Sequence, residues 1–123
     1  MDLAAAHPVK TQRPATKALE SKSAAAHNTL GRQLTQARRY QEAVVELTEA
    51  IRITPDFASA FNARGFALLM LRDWVRAIKD LDQAILLNPS YGNAYAIRAI
   101  ARRNVGDARG AAVDLKRSHQ LTH

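Results

Sequence analysis

An all-α stack of helical hairpins is the fold class this sequence predicts, and three observations predict it. Residue types recur every 34 positions, so that Gly31 falls on Gly65, Ala43 on Ala77, Ala50 on Ala84, Ile51 on Ile85 and Pro55 on Pro89. Within each block the apolar residues stand three and four apart, the spacing of one helical face. Glycine and proline are few, five and four in 123 residues, and lie mostly near turns or in the first fifteen positions, which favours long helices. A unit of this size cannot bury its apolar face alone, so the period implies blocks that stack on one another.

Residues 1–23 come first and read as a basic, mobile tail: Pro8 and Pro14 stand among Ala, Thr, Gln and basic residues without apolar periodicity. From about residue 15 the composition (Ala18, Leu19, Glu20, Lys22) suits a helix that begins early. Residues 24–123 form one domain of three blocks, 24–57, 58–91 and 92–123. The first block has a helix near 24–37, with Leu30 and Leu34 on one face, then a turn at Arg38-Arg39-Tyr40. Its second helix, near 41–53, sets Ala43, Leu47, Ala50 and Ile51 on a buried stripe and Glu42, Glu46 and Glu49 on a solvated convex side. Thr54 precedes Pro55, and a residue before proline is pushed out of helical geometry, which ends the helix. The second block repeats this near 58–71 and 74–87, with its stop at Asn88-Pro89. The third has helices near 92–104 and 108–120 around a Val105-Gly106-Asp107 turn.

A helix of about 14 residues spans roughly 20 Å and is marginal alone in water, so packing must hold each one. Gly31 and Gly65, continued as Ala99, mark where the first helix of a block approaches the second, and Ala43, Ala77 and Ala111 receive it. Leu34, Leu47, Phe61, Leu68, Trp74, Leu81, Tyr95 and Leu115 are expected to fill the spaces between layers. Each contributes ~1.5–3 kcal/mol when fully buried. Arg64 and Asp80 stand sixteen apart, as do Arg98 and Asp114, and read as structural ion pairs between the two helices of a block. In the first block Leu30 and Glu46 break that pattern, and His27 takes the packing place of Phe61 and Tyr95.

These columns resemble the tetratricopeptide repeat, a 34-residue helix-turn-helix unit with an early small residue, alanine columns in its second helix and a closing proline. The resemblance covers about residues 24–123 and implies a right-handed α-α superhelix that acts as a non-catalytic protein-interaction scaffold. The first helices of such repeats line a concave face that takes extended peptides. The matching stripes are Asn28, Arg32 and Thr35, then Asn62, Phe66 and Leu69, then Asn93, Ala96, Ile100 and Arg103. Asn28 and Asn62 would bond a peptide backbone while Phe66 and Leu69 take an apolar side chain. Some family members grip the C-terminal carboxylate of heat-shock chaperones with a Lys, Asn, Asn, Lys, Arg clamp. The corresponding positions here are Asn28, Arg32, Ala63, Asn93 and Ile97, none of which agrees, so that role is not expected. The third block departs from the pattern at Ala99, Arg102 and Ser118 and lacks the proline. Ser118-His119 would give the last layer the polar outer face that a stacked array needs. The alternative is an end that pairs with a second copy or with further sequence.

Charge narrows the partner. The net charge is +7, and residues 92–123 hold six basic against two acidic side chains. That balance favours an acidic protein or peptide with an apolar anchor. Helical repeats that read RNA are the less favoured alternative, since they usually show a 35-residue period and polar base-reading pairs. Self-association through the terminal layers is the other alternative, which makes the chain a monomer or weak homodimer. No cysteine is present, and His7, His27, His119 and His123 show no metal-ligand spacing. No phosphate loop, nucleophile elbow or paired carboxylates occur, so neither an enzyme nor a cofactor is expected. No run of about 18 apolar residues exists to cross a membrane, and residues 1–10 make a poor secretory signal, which leaves the cytoplasm as the default location.

Overall fold

A computed structural model describes residues 23–122; the expected tail over residues 1–22, with its early helix, lies outside the described residues. Six helices and no strand make up the described residues. Helix α1 covers residues 23–36, α2 Tyr40–Ile53, α3 Ala58–Met70, α4 Trp74–Leu87, α5 Gly92–Asn104 and α6 Ala108–Thr122.

The local chemistry sets these limits. Thr54 and Asn88, each before a proline, take extended backbone with ψ of 90° and 91°. Their N–H groups close α2 and α4 on the carbonyls of Ala50 and Ala84, both at 2.9 Å. The turn within each hairpin is made by one left-handed residue, again 34 apart: Arg38 (φ 63°), Arg72 (φ 64°) and Gly106 (φ 89°). Around each, two crossed backbone bonds cap the first helix. Arg38 and Arg39 donate to Thr35 and Leu34, Arg72 and Asp73 to Leu69 and Leu68, and Gly106 and Asp107 to Arg103 and Arg102. Tyr40, expected in the turn, opens α2 instead.

Packing follows the columns. Ala43, Leu47, Ala50, Ala77, Leu81 and Ala84 are wholly buried. The close approach within a hairpin sets glycine against leucine: a Cβ on Gly31 would lie 2.5 Å from Leu47 Cγ, and one on Gly65 2.9 Å from Leu81 Cγ. Each second helix then packs on the next first helix, α2 on α3 and α4 on α5. Among the described helices α3 also touches α5, whereas α2 and α4 share no such contact. First helices therefore line the tight inner side of the stack, and second helices fan apart outside.

Ion pairs tie the layers. Arg64 donates two bonds to Asp80, both 2.7 Å, and a third to Thr48 Oγ1 on the preceding hairpin at 3.1 Å. Arg98 does the same with Asp114, at 2.8 and 2.7 Å, and with Asp82 at 2.8 Å. Each guanidinium also lies over the ring three residues earlier, Phe61 at 5.7 Å and Tyr95 at 5.5 Å.

Several expectations need correction. Leu30 and Leu115 are only part-covered, at 42% and 41% exposure among the described residues. Ser118 is buried, since it continues the inner column of Ala50 and Ala84 and its carbonyl faces the start of α5 near Gly92. It therefore supplies no outer polarity. Glu46 is not a plain solvated side chain: with Leu30 in the arginine column, its Oε1 meets His27 Nδ1 at 2.7 Å. Arg102, one of the six basic side chains counted in the third block, is paired: it donates to Asp114 at 2.9 Å.

Candidate functional site

The inner side carries a cleft of about 320 Å³, lined by Arg32, Thr35 and Gln36 of α1, Asn62, Ala63 and Phe66 of α3, and Asn93 and Ile97 of α5. All eight come from first helices, so three successive hairpins build one surface. Phe66, Ala63 and Ile97 supply its apolar part. Phe66 is half-buried and rests on the core formed by Phe61, Leu68 and Leu81, which holds the ring in place while leaving part of it open. Polar groups border it. Asn62 Nδ2 donates to Asn93 Oδ1 at 3.0 Å, linking α3 to α5, and the amide of Asn93 remains exposed. Asn62 Oδ1 is buried without a hydrogen-bond partner among the described residues. Thr35 donates its hydroxyl to the Gly31 carbonyl at 2.9 Å, which leaves its oxygen lone pairs to accept. Arg32 is exposed and has no acidic partner among the described residues, so it is the cation of the cleft.

The ten residues of the predicted stripes divide. Arg32, Thr35, Asn62, Phe66 and Asn93 converge on the cleft. Asn28 and Leu69 do not: they are 7% and 6% exposed. Asn28 points toward Ser59 at the start of α3, its Nδ2 3.5 Å from the hydroxyl, and its Oδ1 is a second buried acceptor without a partner. Leu69 turns into the core against α4 and α5. Ala96 is half-buried and Ile100 exposed on α5, and neither lines the cleft. Arg103 lies at the far end of the stack, beside Leu115 and Lys116. Gln36, Ala63 and Ile97 are in the cleft but outside the stripes. A step of four residues from Arg32 and from Asn93 would have found Gln36 and Ile97.

The comparisons agree with this architecture. A family model described as TPR repeat matches residues 31–71. A second, described as tetratricopeptide repeat, matches residues 58–91. Residues 31–91 are thus tetratricopeptide repeat (TPR) sequence. The third hairpin lies beyond the residues those models match, but solved TPR domains superpose on more of the chain. The Arabidopsis OM64 TPR domain is 24% identical, covers 83% of this chain and 84% of its own, and has a TM-score of 0.81. The second TPR of Spaghetti (RPAP3), bound to the HSP90 peptide SRMEEVD, is 29% identical over 82% of this chain and 94% of its own, with a TM-score of 0.80. The second TPR domain of human RPAP3, in complex with the HSP70 peptide SGPTIEEVD, is 28% identical over 85% of each chain, with a TM-score of 0.76. No curated protein matches by sequence.

Within this TPR frame, four of the five positions of the carboxylate clamp, Arg32, Ala63, Asn93 and Ile97, line the cleft. Their chemistry is changed. Neutral Asn28, neutral Asn93 and apolar Ile97 stand where the clamp places cations, and Arg32 stands where it places an asparagine.

Proposed function

We propose that this chain is a non-catalytic interaction module whose inner cleft takes an extended peptide, with an apolar side chain on Phe66, Ala63 and Ile97 and one acidic group at Arg32. The observation that carries this reading is the cleft lining itself: an open apolar wall, amides able to meet a peptide backbone, and one guanidinium without an acidic partner among the described residues, all on the first helices. Support comes also from the TPR domains above, which hold acidic chaperone peptides. Replacement of the clamp cations by Asn93 and Ile97 shifts the preference from a cluster of carboxylates to a single one beside a bulky apolar residue.

Selection from a displayed peptide library tests the proposal. Binders should share an acidic residue near an aromatic or aliphatic one. Phe66→Ala should weaken the best of them by about tenfold or more, and Arg32→Gln should erase the acidic preference. The peptide SRMEEVD should bind more weakly than the selected sequences. Selection without such a motif, or binders indifferent to Phe66, would refute the reading. So would a large loss of stability in Phe66→Ala, which would make Phe66 a core residue.

A further inference from the structure

The last layer carries a second hollow, of about 460 Å³, lined by Arg103 of α5 and by Ala112, Leu115, Lys116 and His119 of α6. It lies on the end of the stack, away from the cleft. The earlier layers of the same chain show what such a surface receives. The α6 residues correspond, at steps of 34, to Ile78, Leu81, Asp82 and Ile85 on α4 and to Val44, Leu47, Thr48 and Ile51 on α2. Those two surfaces are covered by α5 and α3, the first helices of the following hairpins. Burial records the difference: Leu47 and Leu81 are 0% exposed, whereas Leu115 is 41% exposed.

The polar position beside that leucine decides what kind of helix fits. In both covered layers the second helix offers an acceptor to an incoming arginine: Thr48 receives Arg64, and Asp82 receives Arg98. In the last layer Lys116 stands there, so the polarity is reversed. Neither Lys116 nor Arg103 has an acidic partner among the described residues, and Arg109 and Arg117 add to the positive charge of the same hairpin. A helix with arginine at this register would set two cations together, whereas one with Asp or Glu would pair Lys116. A second copy stacked end to end would bring in α1, which has Leu30 at the register of Arg64 and Arg98 and offers Lys116 no carboxylate there.

We infer that the α5–α6 end is a separate docking site for one amphipathic helix of a partner, apolar against Ala112 and Leu115 and acidic where α3 and α5 carry Arg64 and Arg98. The site does not depend on what the inner cleft binds.

The test uses the full chain and two stapled helical peptides with the sequence of Gly92–Asn104, both carrying Arg102→Gln and Arg103→Gln, and one also carrying Arg98→Glu. Wild type should bind the Arg98→Glu peptide about tenfold or more tightly than its Arg98 counterpart. Lys116→Glu, a surface change that should leave the melt unaltered, should reverse that preference, and Leu115→Asp should abolish binding of either peptide. Failure of both peptides to bind would overturn the inference, as would a preference that Lys116→Glu does not change. Dimers of wild type by sedimentation, lost in Leu115→Asp, would overturn it too by giving the surface to a second copy.

Discussion

Arg64 and Arg98 each hold three helices through one guanidinium, and the carboxylate that each meets within its own hairpin is buried. Asp80 and Asp114 are almost wholly enclosed, so each carboxylate depends on its arginine for its charge to be tolerated. Hydrogen bonds to Asp114, and then to Asp82, outweigh partial burial and hold Arg98 protonated above its already high ordinary range. Arg64→Ala leaves Asp80 unpaired and should cost ~3–5 kcal/mol in a denaturant melt. Arg64→Leu combined with Asp80→Leu should recover most of that. A melt unmoved by the single change would contradict the pairing. The sixteen-residue spacing made the intra-hairpin pair legible. The reach to Thr48 and Asp82 was not, because a column gives residue types but not the direction of a long side chain. Backbone strain is a second residue-scale effect. Arg38 and Arg72 occupy the left-handed region that the third hairpin fills with Gly106. Arg72→Gly should therefore raise stability by ~1 kcal/mol, and Gly106→Arg should lower it by a similar amount. Equilibrium urea curves of the two variants would separate in opposite directions; displacement of both the same way would contradict this account of the turn.

At the scale of the helix, limits were easy to read and outward faces were not. Proline after Thr54 and Asn88 and the 34-residue phase fix where helices stop, since both act through local backbone geometry. Exposure depends on what lies next in the stack. Leu30, Leu47, Leu81 and Leu115 are chemically alike, yet two are sealed and two are open because of their place in the array. Phe66 and Leu69 show the same limit within one helix: both fit the predicted inner stripe, but a three-residue step turns Leu69 toward α4 and α5 and into the core. The alanine seam is the firmest element-scale feature. Ala77 is wholly buried in α4, so Ala77→Glu places an unpaired charge in the interior and should destabilise the whole domain. A thermal melt within about a degree of wild type would exclude that placement.

The whole molecule is a short stack whose two proposed capture surfaces differ in origin. The inner cleft needs three hairpins at once, since α1, α3 and α5 each supply part of its lining. The end surface exists because the α6 columns have no following layer among the described residues. The small columns and the proline spacing revealed the stack. They could not assign Asn28 and Leu69 to the interior, because that outcome depends on how the hairpins are rotated against each other. No described helix is long and apolar enough to cross a membrane.

The surface used for capture can be located most directly by nuclear magnetic resonance: backbone amide shifts of the labelled full chain, followed as a library-selected peptide is added. The largest changes should fall on α1, α3 and α5 around Arg32, Asn62, Phe66, Asn93 and Ile97, with α2 and α4 nearly still. Changes centred on the outer faces of α2 and α4 would contradict capture by the inner side.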